Sequence, residues 1–222
     1  MNKHKLYRYA LDWFFPNICP SCGEQIAYDE AFCDECLTEL IPYEGSFSVE
    51  NVDIFTAYCI YDKTVKRILN RYKWDACGNT YYAFAFGIMQ ALRRRKLSSK
   101  FDIIVSIPME KSDLKARGYN QTELIADELQ FLMDKPHIRA LEKIRRTEPQ
   151  KSLGEEDRRK NMVNAFKAAE GISLAGKNVL VIDDLCTTGS TLCEAARALK
   201  EGGAARVIAA SFSKTAIDKS GI

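Results

Sequence analysis

Residues 179–191, which read VLVIDDLCTTGST, place two adjacent carboxylates beside a turn rich in hydroxyl groups. Gly189 in that turn permits backbone conformations that other residues avoid, so several N–H groups can converge on one anion where a helix begins. Asp183 and Asp184, when ionised, only accept hydrogen bonds, which suits sugar hydroxyls or the water shell of Mg²⁺. A ligand with a phosphate at one end and sugar hydroxyls at the other satisfies both halves. The hydroxyl donors are Thr187, Thr188, Ser190 and Thr191.

The residues on either side of the turn predict a strand followed by a helix. Residues 179–182 form an apolar run typical of a strand buried on both faces, and residues 192–199 repeat apolar side chains at helical spacing. Open α/β sheets bind ligands where a parallel strand is followed by such a helix. A Walker-type loop does not fit, because no lysine precedes the Ser or Thr. Simple capping of the helix by Asp184 and the threonines is the alternative.

Residues 179–191 resemble the phosphoribosyl diphosphate (PRPP) signature of type I phosphoribosyltransferases. The resemblance implies that Asp183 and Asp184 are the catalytic-site acids that hold the ribose hydroxyls. It also implies that residues 187–191, with Gly189 and Ser190 among them, cradle the 5′-phosphate. Cys186 occupies a position that is more often aliphatic in the signature, and a small buried thiol packs like a hydrophobic side chain.

Four cysteines near the N-terminus form two CxxC pairs separated by ten residues, Cys19 with Cys22 and Cys33 with Cys36. Each pair places two sulfur atoms on one tight turn, so the four can surround one zinc ion tetrahedrally. Four thiolates leave no open position for water or substrate, so the zinc is expected to be structural. Redox chemistry of the thioredoxin type and disulfides are the rivals, and disulfides are disfavoured because no secretory signal precedes the pairs. The remaining cysteines are interpreted as packing residues: Cys59, Cys77, Cys186 and Cys193.

Charge is distributed unevenly along the chain. Residues 1–45 contain eight acidic and three basic side chains, a net charge of −5, and residues 46–222 contain 22 acidic and 29 basic ones, a net charge of +7. The zinc ribbon is therefore a poor nucleic-acid ligand and is expected to dock a protein, whereas the body of the chain is a possible partner for nucleic acid.

We expect two domains, an N-terminal helix with the zinc ribbon in residues 1–45 and an α/β domain in residues 46–222. The α/β domain is expected to be a parallel sheet flanked by helices, as in type I phosphoribosyltransferases. Residues 6–15 are too short and too charged to span a bilayer. We expect them to pack on the body or on a partner, and an anchor at a membrane surface is the alternative. The predicted elements are a strand at 55–61, a basic helix at 63–74, a turn at 75–78, a long helix through 97 and a buried strand at 103–107.

The loop at residues 108–118 follows a predicted parallel strand and should open on the same rim as the phosphate turn. Asn120 is expected to cap the next helix, with Glu123 reaching back to it. Residues 145–161 are polar and rich in guanidinium groups, which suits a mobile flap over a polyphosphate, although a solvated charged face is the ordinary alternative.

The whole pattern closely resembles the ComF/GntX family of competence-associated, phosphoribosyltransferase-like proteins. It consists of CPSCG and CDEC, residues 116–129 (ARGYNQTELIADEL), residues 145–166 (RRTEPQKSLGEEDRRKNMVNAF) and the final signature. The resemblance implies that residues 108–111 face the pyrophosphate, that Mg²⁺ accompanies PRPP, and that the protein is cytoplasmic. It also implies a set of flap or rim contacts: Lys111, Arg117, Arg146, Gln150 and Arg158.

Two hypotheses about activity follow. In the first, the protein is a phosphoribosyltransferase that acts on an unidentified acceptor, or it hydrolyses PRPP. In the second, it is a non-catalytic module that handles single-stranded DNA in natural transformation, beside competence proteins such as an uptake helicase. Aromatic residues near basic ones could stack on bases, although core packing is the commoner role for them: Tyr72, Trp74, Tyr81 and Tyr82. The acceptor and the oligomeric state are not encoded in any motif.

Overall fold

The computed structural model describes residues 3–74, 80–147 and 155–216. The predicted turn at 75–78, with Cys77 in it, and Gln150 lie outside the described residues. The helices are α1 (Lys3–Asp12), α2 (Asp34–Thr38), α3 (Lys63–Trp74), α4 (Thr80–Arg94), α5 (Lys111–Arg117), α6 (Gln121–Met133), α7 (Glu155–Met162) and α8 (Ser190–Glu201). The strands are β1 (Ile54–Tyr61), β2 (Ile103–Ser106), β3 (Leu141–Lys143), β4 (Phe166–Ala168), β5 (Asn178–Cys186) and β6 (Arg206–Thr215).

The main sheet has four parallel strands in the order β1-β6-β5-β2. Strand β5 is central, and Val181 on it pairs with Val105 of β2 and Ala209 of β6. Its first apolar residues are completely buried because helices cover both faces of the sheet. The short strands β3 and β4 form a separate antiparallel pair. The predicted α/β architecture with a parallel sheet is therefore confirmed.

Two hydrophobic cores lie on the two faces of the sheet. Helices α3, α4 and α6 cover one face, where Leu180 and Ile182 of β5 point. Helix α8 and the β3–β4 pair cover the other, where Val179 and Val181 point. Alternate side chains of one strand thus stabilise opposite cores, as a two-residue period requires. The predicted apolar face of α3 is buried in the first core: Val65, Ile68, Leu69 and Tyr72.

The N-terminal ribbon packs against the same face as α3 and α4. The ring of Phe32 stacks on that of Phe212 of β6 with centroids 6.3 Å apart. Helix α3 contributes two guanidinium groups, because Arg67 donates to Ser21 Oγ at 2.9 Å and Arg71 donates to the Ser21 carbonyl at 3.1 Å. The ribbon is therefore continuous with the first core.

Helix α1 is held on the body through Arg8. Its guanidinium donates to the Tyr28 carbonyl at 2.7 Å, lies 3.5 Å from the centroid of the Tyr82 ring, and approaches Glu128 of α6 at 3.7 Å. The expectation that this segment packs on the body is met at Arg8. The three aromatic residues that follow the helix are exposed: Trp13, Phe14 and Phe15. Across the described residues, no helix is both long enough and apolar enough to cross a membrane.

Two sequence expectations differ from the structure at helix ends. Helix α4 ends at Arg94 rather than near residue 97, because Lys96 takes a left-handed conformation with φ 55°. The Leu97 N–H then bonds the Leu92 carbonyl and the Lys96 N–H bonds the Arg93 carbonyl, which is the Schellman termination.

Asn120 caps α6 as predicted by accepting from the Thr122 N–H at 3.1 Å.

Glu123 does not reach back to the cap of α6. Its carboxylate instead accepts from Arg139 at 2.9 Å, an opposite charge outside the helix. The second half of the predicted capping box is therefore wrong.

We predict that Arg8→Met destabilises the protein by about 3 kcal/mol, because it removes the buried cation that faces the Glu128 carboxylate and donates to the Tyr28 carbonyl. Both side chains are nearly inaccessible, at 5% and 6% exposure. Urea unfolding measures the loss, and Arg93→Met, which removes an exposed arginine, is the control. The double variant Arg8→Met/Glu128→Met should recover much of the stability. Equal effects of Arg8→Met and Arg93→Met would contradict the assignment.

Candidate functional site

The turn between β5 and α8 is built around Gly189. Strand β5 ends at Cys186 and α8 begins at Ser190, so Gly189 is the N-cap residue, with φ +81°. The Cys193 N–H bonds the Gly189 carbonyl at 2.8 Å and starts the helix. The hydroxyls of Thr188 and Ser190 lie 2.7 Å apart. The turn therefore presents hydroxyl groups at the positive end of a twelve-residue helix, which favours an anion.

A cavity of about 280 Å³ opens at this turn. It brings the two acidic residues, most of the hydroxyl turn and one predicted flap arginine to the same space. It is lined by Arg158, Asp183, Asp184, Leu185, Cys186, Thr187, Gly189, Ser190, Thr191 and Leu192. Carboxylates and hydroxyl groups thus line one cavity.

The two carboxylates occupy different surroundings. The Oδ1 atom of Asp183 accepts the backbone N–H of Asp184 at 2.8 Å, which orients the first carboxylate. Asp184 lies near Tyr72 of α3: burial raises the pKa of that phenol well above its ordinary value, and the charge of Asp184 raises it further. Tyr72 stays protonated and donates to the Gln121 carbonyl at 2.8 Å. The charge of Asp184 therefore acts on a buried phenol of α3.

The loop after β2 opens at the same edge of the sheet, because β2 pairs with β5 in parallel. Its first carbonyl, that of Ile107, accepts from Asn120 at 3.1 Å and from the Thr122 hydroxyl at 2.6 Å. The side chains of Lys111 and Arg117, at the two ends of α5, lie outside the described part of the structure. The backbone of the predicted pyrophosphate loop is therefore anchored to the start of α6.

The predicted flap contains helix α7. Arg158 on this helix lines the cavity, whereas Arg146 is exposed after β3. Arg145 ties the two ends of the segment together by donating to the carbonyls of Asn161 at 2.6 Å and Val163 at 2.9 Å. Among the flap positions named from sequence, Arg158 is the one that lines the cavity in the described part of the structure.

The four N-terminal cysteines converge as predicted. Their sulfur atoms all lie within 4.8 Å of one another, and the Sγ atoms of Cys22 and Cys33 are 3.7 Å apart. A tetrahedron with Zn–S bonds of about 2.3 Å has edges of about 3.8 Å, so the cluster matches a zinc site. Gly23, with φ +86°, makes the first knuckle turn and lies against Arg71. Cys19, Cys22, Cys33 and Cys36 thus fit a structural zinc ion.

Two other cysteines behave as packing residues. Burial raises the pKa of the Cys186 thiol to about 12, so this group stays neutral at the end of β5. Burial likewise raises the pKa of the Cys59 thiol. Cys193 is half-buried and accepts from Asn51 at 3.6 Å.

Ser106, His137 and Asp127 form a hydrogen-bonded chain that sequence reasoning did not identify. Ser106 Oγ lies 3.1 Å from His137 Nε2, and His137 Nδ1 lies 2.7 Å from Asp127 Oδ1. The order of the three residues matches that of a hydrolase triad. However, Ser106 is 4% exposed and the His137 side chain is 2% exposed, so both are buried rather than open to a substrate. The chain therefore links the residues after α6 to the edge of the sheet, where His137 bridges to Ile104.

Lys214 and Phe47 are two further residues beside the turn that the sequence analysis did not single out. Lys214 Nζ donates to the Thr187 carbonyl at 2.7 Å and lies 4.1 Å from the centroid of the Phe47 ring. A signal for Lys214 existed, because it is the one charged residue in the buried run 207–214 of β6. No local signal marks Phe47, which lies 167 positions away in the sequence.

Comparison with known families agrees with this geometry. The family described as "Phosphoribosyl transferase domain" matches residues 83–219, which include the cavity and its turn. The family described as "Double zinc ribbon domain" matches residues 10–47, which include the four clustered cysteines. The chain therefore carries a phosphoribosyl transferase domain behind a zinc ribbon.

Two relatives cover most of the chain. The DNA utilization protein YhgH of Salmonella typhimurium is 27% identical over 195 residues, which are 86% of this chain and 81% of that protein. Competence protein ComFC of Bacillus subtilis is 28% identical over 190 residues, 85% of this chain and 74% of its own length. The chain belongs to the ComF family.

Among solved structures, an adenine phosphoribosyltransferase matches this ComF chain at 16% identity with a TM-score of 0.42. The match covers 68% of this chain and 76% of the other.

We predict that Gly189→Ala costs more stability than Gly171→Ala. Both glycines have φ near +80°, so an alanine pays about 1–3 kcal/mol of backbone strain at either position. A Cβ at Gly189 would also lie 2.9 Å from Val49 and 3.2 Å from Phe47, whereas nothing lies within 4 Å at Gly171. Urea unfolding should show an extra loss of about 1 kcal/mol or more at Gly189. Equal losses would show that the turn is not in close contact with these side chains.

Proposed function

We propose that this ComF protein binds PRPP together with Mg²⁺ in the cavity at the β5–α8 turn, and that it acts in the cytoplasm during DNA uptake. The observation that supports this most strongly is that different chemical groups line different parts of the cavity. Carboxylates lie at the end of β5, hydroxyl groups lie at the start of α8, and Arg158 lines the same space.

In this proposal, different residues bind different parts of PRPP. Asp183 and Asp184 accept from the ribose hydroxyls, because a carboxylate offers only acceptor oxygens. The turn at residues 187–191 binds the 5′-phosphate through its N–H and hydroxyl groups and the dipole of α8. In this proposal Arg158 contacts the diphosphate from the cavity. The further rim contacts proposed from the sequence are Lys111, Arg117, Arg146 and Gln150.

The donor set suits a divalent cation as well. Mg²⁺ prefers carboxylate oxygens, water and the phosphate oxygens of a substrate, and when bound it would neutralise charge on the departing diphosphate. Asp183 and Asp184 are the described residues of the cavity that would hold it.

The proposed reaction is transfer of the phosphoribosyl group to a nucleophilic acceptor. A bond forms between the acceptor atom and the anomeric carbon as the bond from that carbon to the diphosphate oxygen breaks, and the diphosphate leaves with the electron pair. Arg158 would stabilise the negative charge on the leaving group. Helix α7, which carries Arg158, would limit the access of water that otherwise hydrolyses PRPP.

A role in DNA uptake is supported by two kinds of observation. One relative bears the name DNA utilization protein and another the name competence protein. Residues 46–222 have a net charge of +7, which favours a phosphate backbone. Tyr72 and Tyr82 are buried and bond carbonyl groups, so they serve the core rather than base stacking.

The second candidate function is a non-catalytic module that handles single-stranded DNA, and this net positive charge is the observation that favours it. In that case the cavity binds PRPP without turnover. Release of pyrophosphate in the presence of candidate acceptors separates the two functions.

We predict that wild-type protein binds PRPP in the presence of Mg²⁺ and that Asp183→Asn/Asp184→Asn weakens binding at least about tenfold. Each carboxylate that accepts a hydrogen bond contributes about 1.5–3 kcal/mol, and the amide also loses the charge that attracts the cation. Isothermal titration calorimetry measures both affinities. Single-stranded DNA affinity should not fall in the variant, because carboxylates repel phosphate groups and so do not hold a DNA backbone.

Asp134→Asn is the matched control. Asp134 is exposed at the end of α6 and has φ 52°, a conformation that asparagine also adopts. This variant should bind PRPP like the wild type. Absence of binding by folded wild-type protein would overturn the proposal, and so would undiminished binding by the double variant.

A further inference from the structure

A buried ammonium group lies behind the phosphate turn. Lys214 is near the end of β6, paired with Cys186 of β5, and is only 2% exposed. Its Nζ atom donates to the Thr187 carbonyl at 2.7 Å and to the Thr215 carbonyl at 2.9 Å. A charge removed from water must regain its lost hydration from such partners. The first residue of the turn is therefore bonded to a fixed cation.

The ring of Phe47 lies against this ammonium. Its ring centroid is 4.1 Å from Lys214 Nζ, which is a cation–π contact in a site shielded from water. The ring is itself held by an edge-to-face contact with Phe55 of β1 at 5.6 Å. Phe47 therefore helps to fix the position of the cation.

Phe47 belongs to the linker, residues 43–53, which joins the zinc ribbon to β1. The linker starts along the edge of the sheet, where the Tyr43 N–H bonds the Tyr58 carbonyl at 3.1 Å. It then passes behind the turn, so that Val49 and Phe47 lie against Gly189. Asn51 contacts Cys193 of α8 at 3.6 Å. The linker therefore forms a wall of the turn.

The bond from Lys214 also sets the direction of a peptide group. A trans peptide is planar, so the N–H of Thr188 points away from the carbonyl of Thr187. Because that carbonyl is directed at Lys214, the N–H of Thr188 is directed to the opposite side of the turn. An anion on that side would meet an N–H group rather than the negative end of a carbonyl.

We propose that Lys214 is a positioning residue for phosphate binding and that Phe47 of the linker holds it in place. Lys214 acts through the Thr187 carbonyl by turning the next N–H toward the anion. The affinity of the turn for phosphate then depends on the segment that connects it to the ribbon. This inference rests on the proposed function, in which the turn binds the 5′-phosphate of PRPP.

The test is binding of ribose 5-phosphate, in the presence of Mg²⁺, to the full-length zinc-loaded protein and its variants. Lys214→Met keeps most of the side-chain volume without the charge and should weaken binding at least about tenfold, the equivalent of one charged hydrogen bond. Lys214→Arg keeps a cation and should bind more tightly than Lys214→Met, although the larger guanidinium does not reproduce every contact of the ammonium. Lys177→Met, which removes an exposed lysine before β5, should bind like the wild type.

Phe47→Leu tests the linker. It keeps an apolar side chain but removes the ring face, so binding should weaken about threefold, in line with a cation–π contact of about 0.5–1 kcal/mol. In the double variant Phe47→Leu/Lys214→Met, the Phe47 change should add nothing, because the cation that the ring holds is already absent. Fully additive losses would overturn the coupling between the two residues.

The outcomes separate the two proposals. If the wild type binds ribose 5-phosphate and Lys214→Met binds equally well, the positioning role is wrong and the proposed function stands. If Lys214→Arg is as weak as Lys214→Met, the cation is not what matters and the inference is also overturned. If folded wild-type protein binds neither ribose 5-phosphate nor PRPP, the proposed function fails and this inference fails with it. Should Lys214→Met not fold, Lys214→Arg and Phe47→Leu still decide.

Discussion

The parallel pairing of β5 between β2 and β6 is the constraint on which the remaining structure depends. It sends the ends of neighbouring strands to one edge, so the acidic residues of β5 and the loop after β2 open on the same side. It also buries both faces of β5, which requires a helix layer on each side. The cavity then lies where β5 leaves the sheet and α8 begins.

The zinc ribbon is part of this arrangement. Its Phe32 stacks on Phe212 in the core that α3 and α4 cover, and α3 holds the first cysteine knuckle through Arg67 and Arg71. The linker then carries the chain to the opposite face, where Phe47 and Val49 meet the phosphate turn. One continuous stretch of sequence thus contacts both faces of the sheet. The zinc site at one end of it and the proposed anion site at the other are joined by packed side chains rather than by a flexible linker.

The features that could be predicted from sequence are those that depend on residues close together in the chain. The CxxC pairs, the acidic pair beside the glycine turn and the change from buried strand to helix each occupy a few consecutive residues, so their places in the fold follow from local order. The Asn120 cap is local in the same way, and the structure confirms it. Glu123 was misassigned because a distant arginine, Arg139, competes for its carboxylate.

The remaining site contacts depend on pairs that are remote in the chain. Phe47 and Lys214 meet only because β1 and β6 are neighbours in the sheet. The chain of Ser106, His137 and Asp127 likewise depends on how residues after α6 lie along the edge of β2. Helix α4 ends earlier than predicted because Lys96 takes a left-handed conformation. Glycine is the residue that usually marks such a position in a sequence, and this position has a lysine. Such features arise from tertiary packing and carry no period or spacing in the sequence.

The most direct test of a phosphate site at the β5–α8 turn is the backbone amide spectrum of protein labelled with ¹⁵N at glycine. The chain has 12 glycines, so each signal can be assigned by substitution. On addition of ribose 5-phosphate with Mg²⁺, the amide of Gly189 should shift most, because it lies in the turn that binds the phosphate. The amide of Gly171, in an open loop, should stay in place. Shifts at other glycines with an unmoved Gly189 would contradict the account.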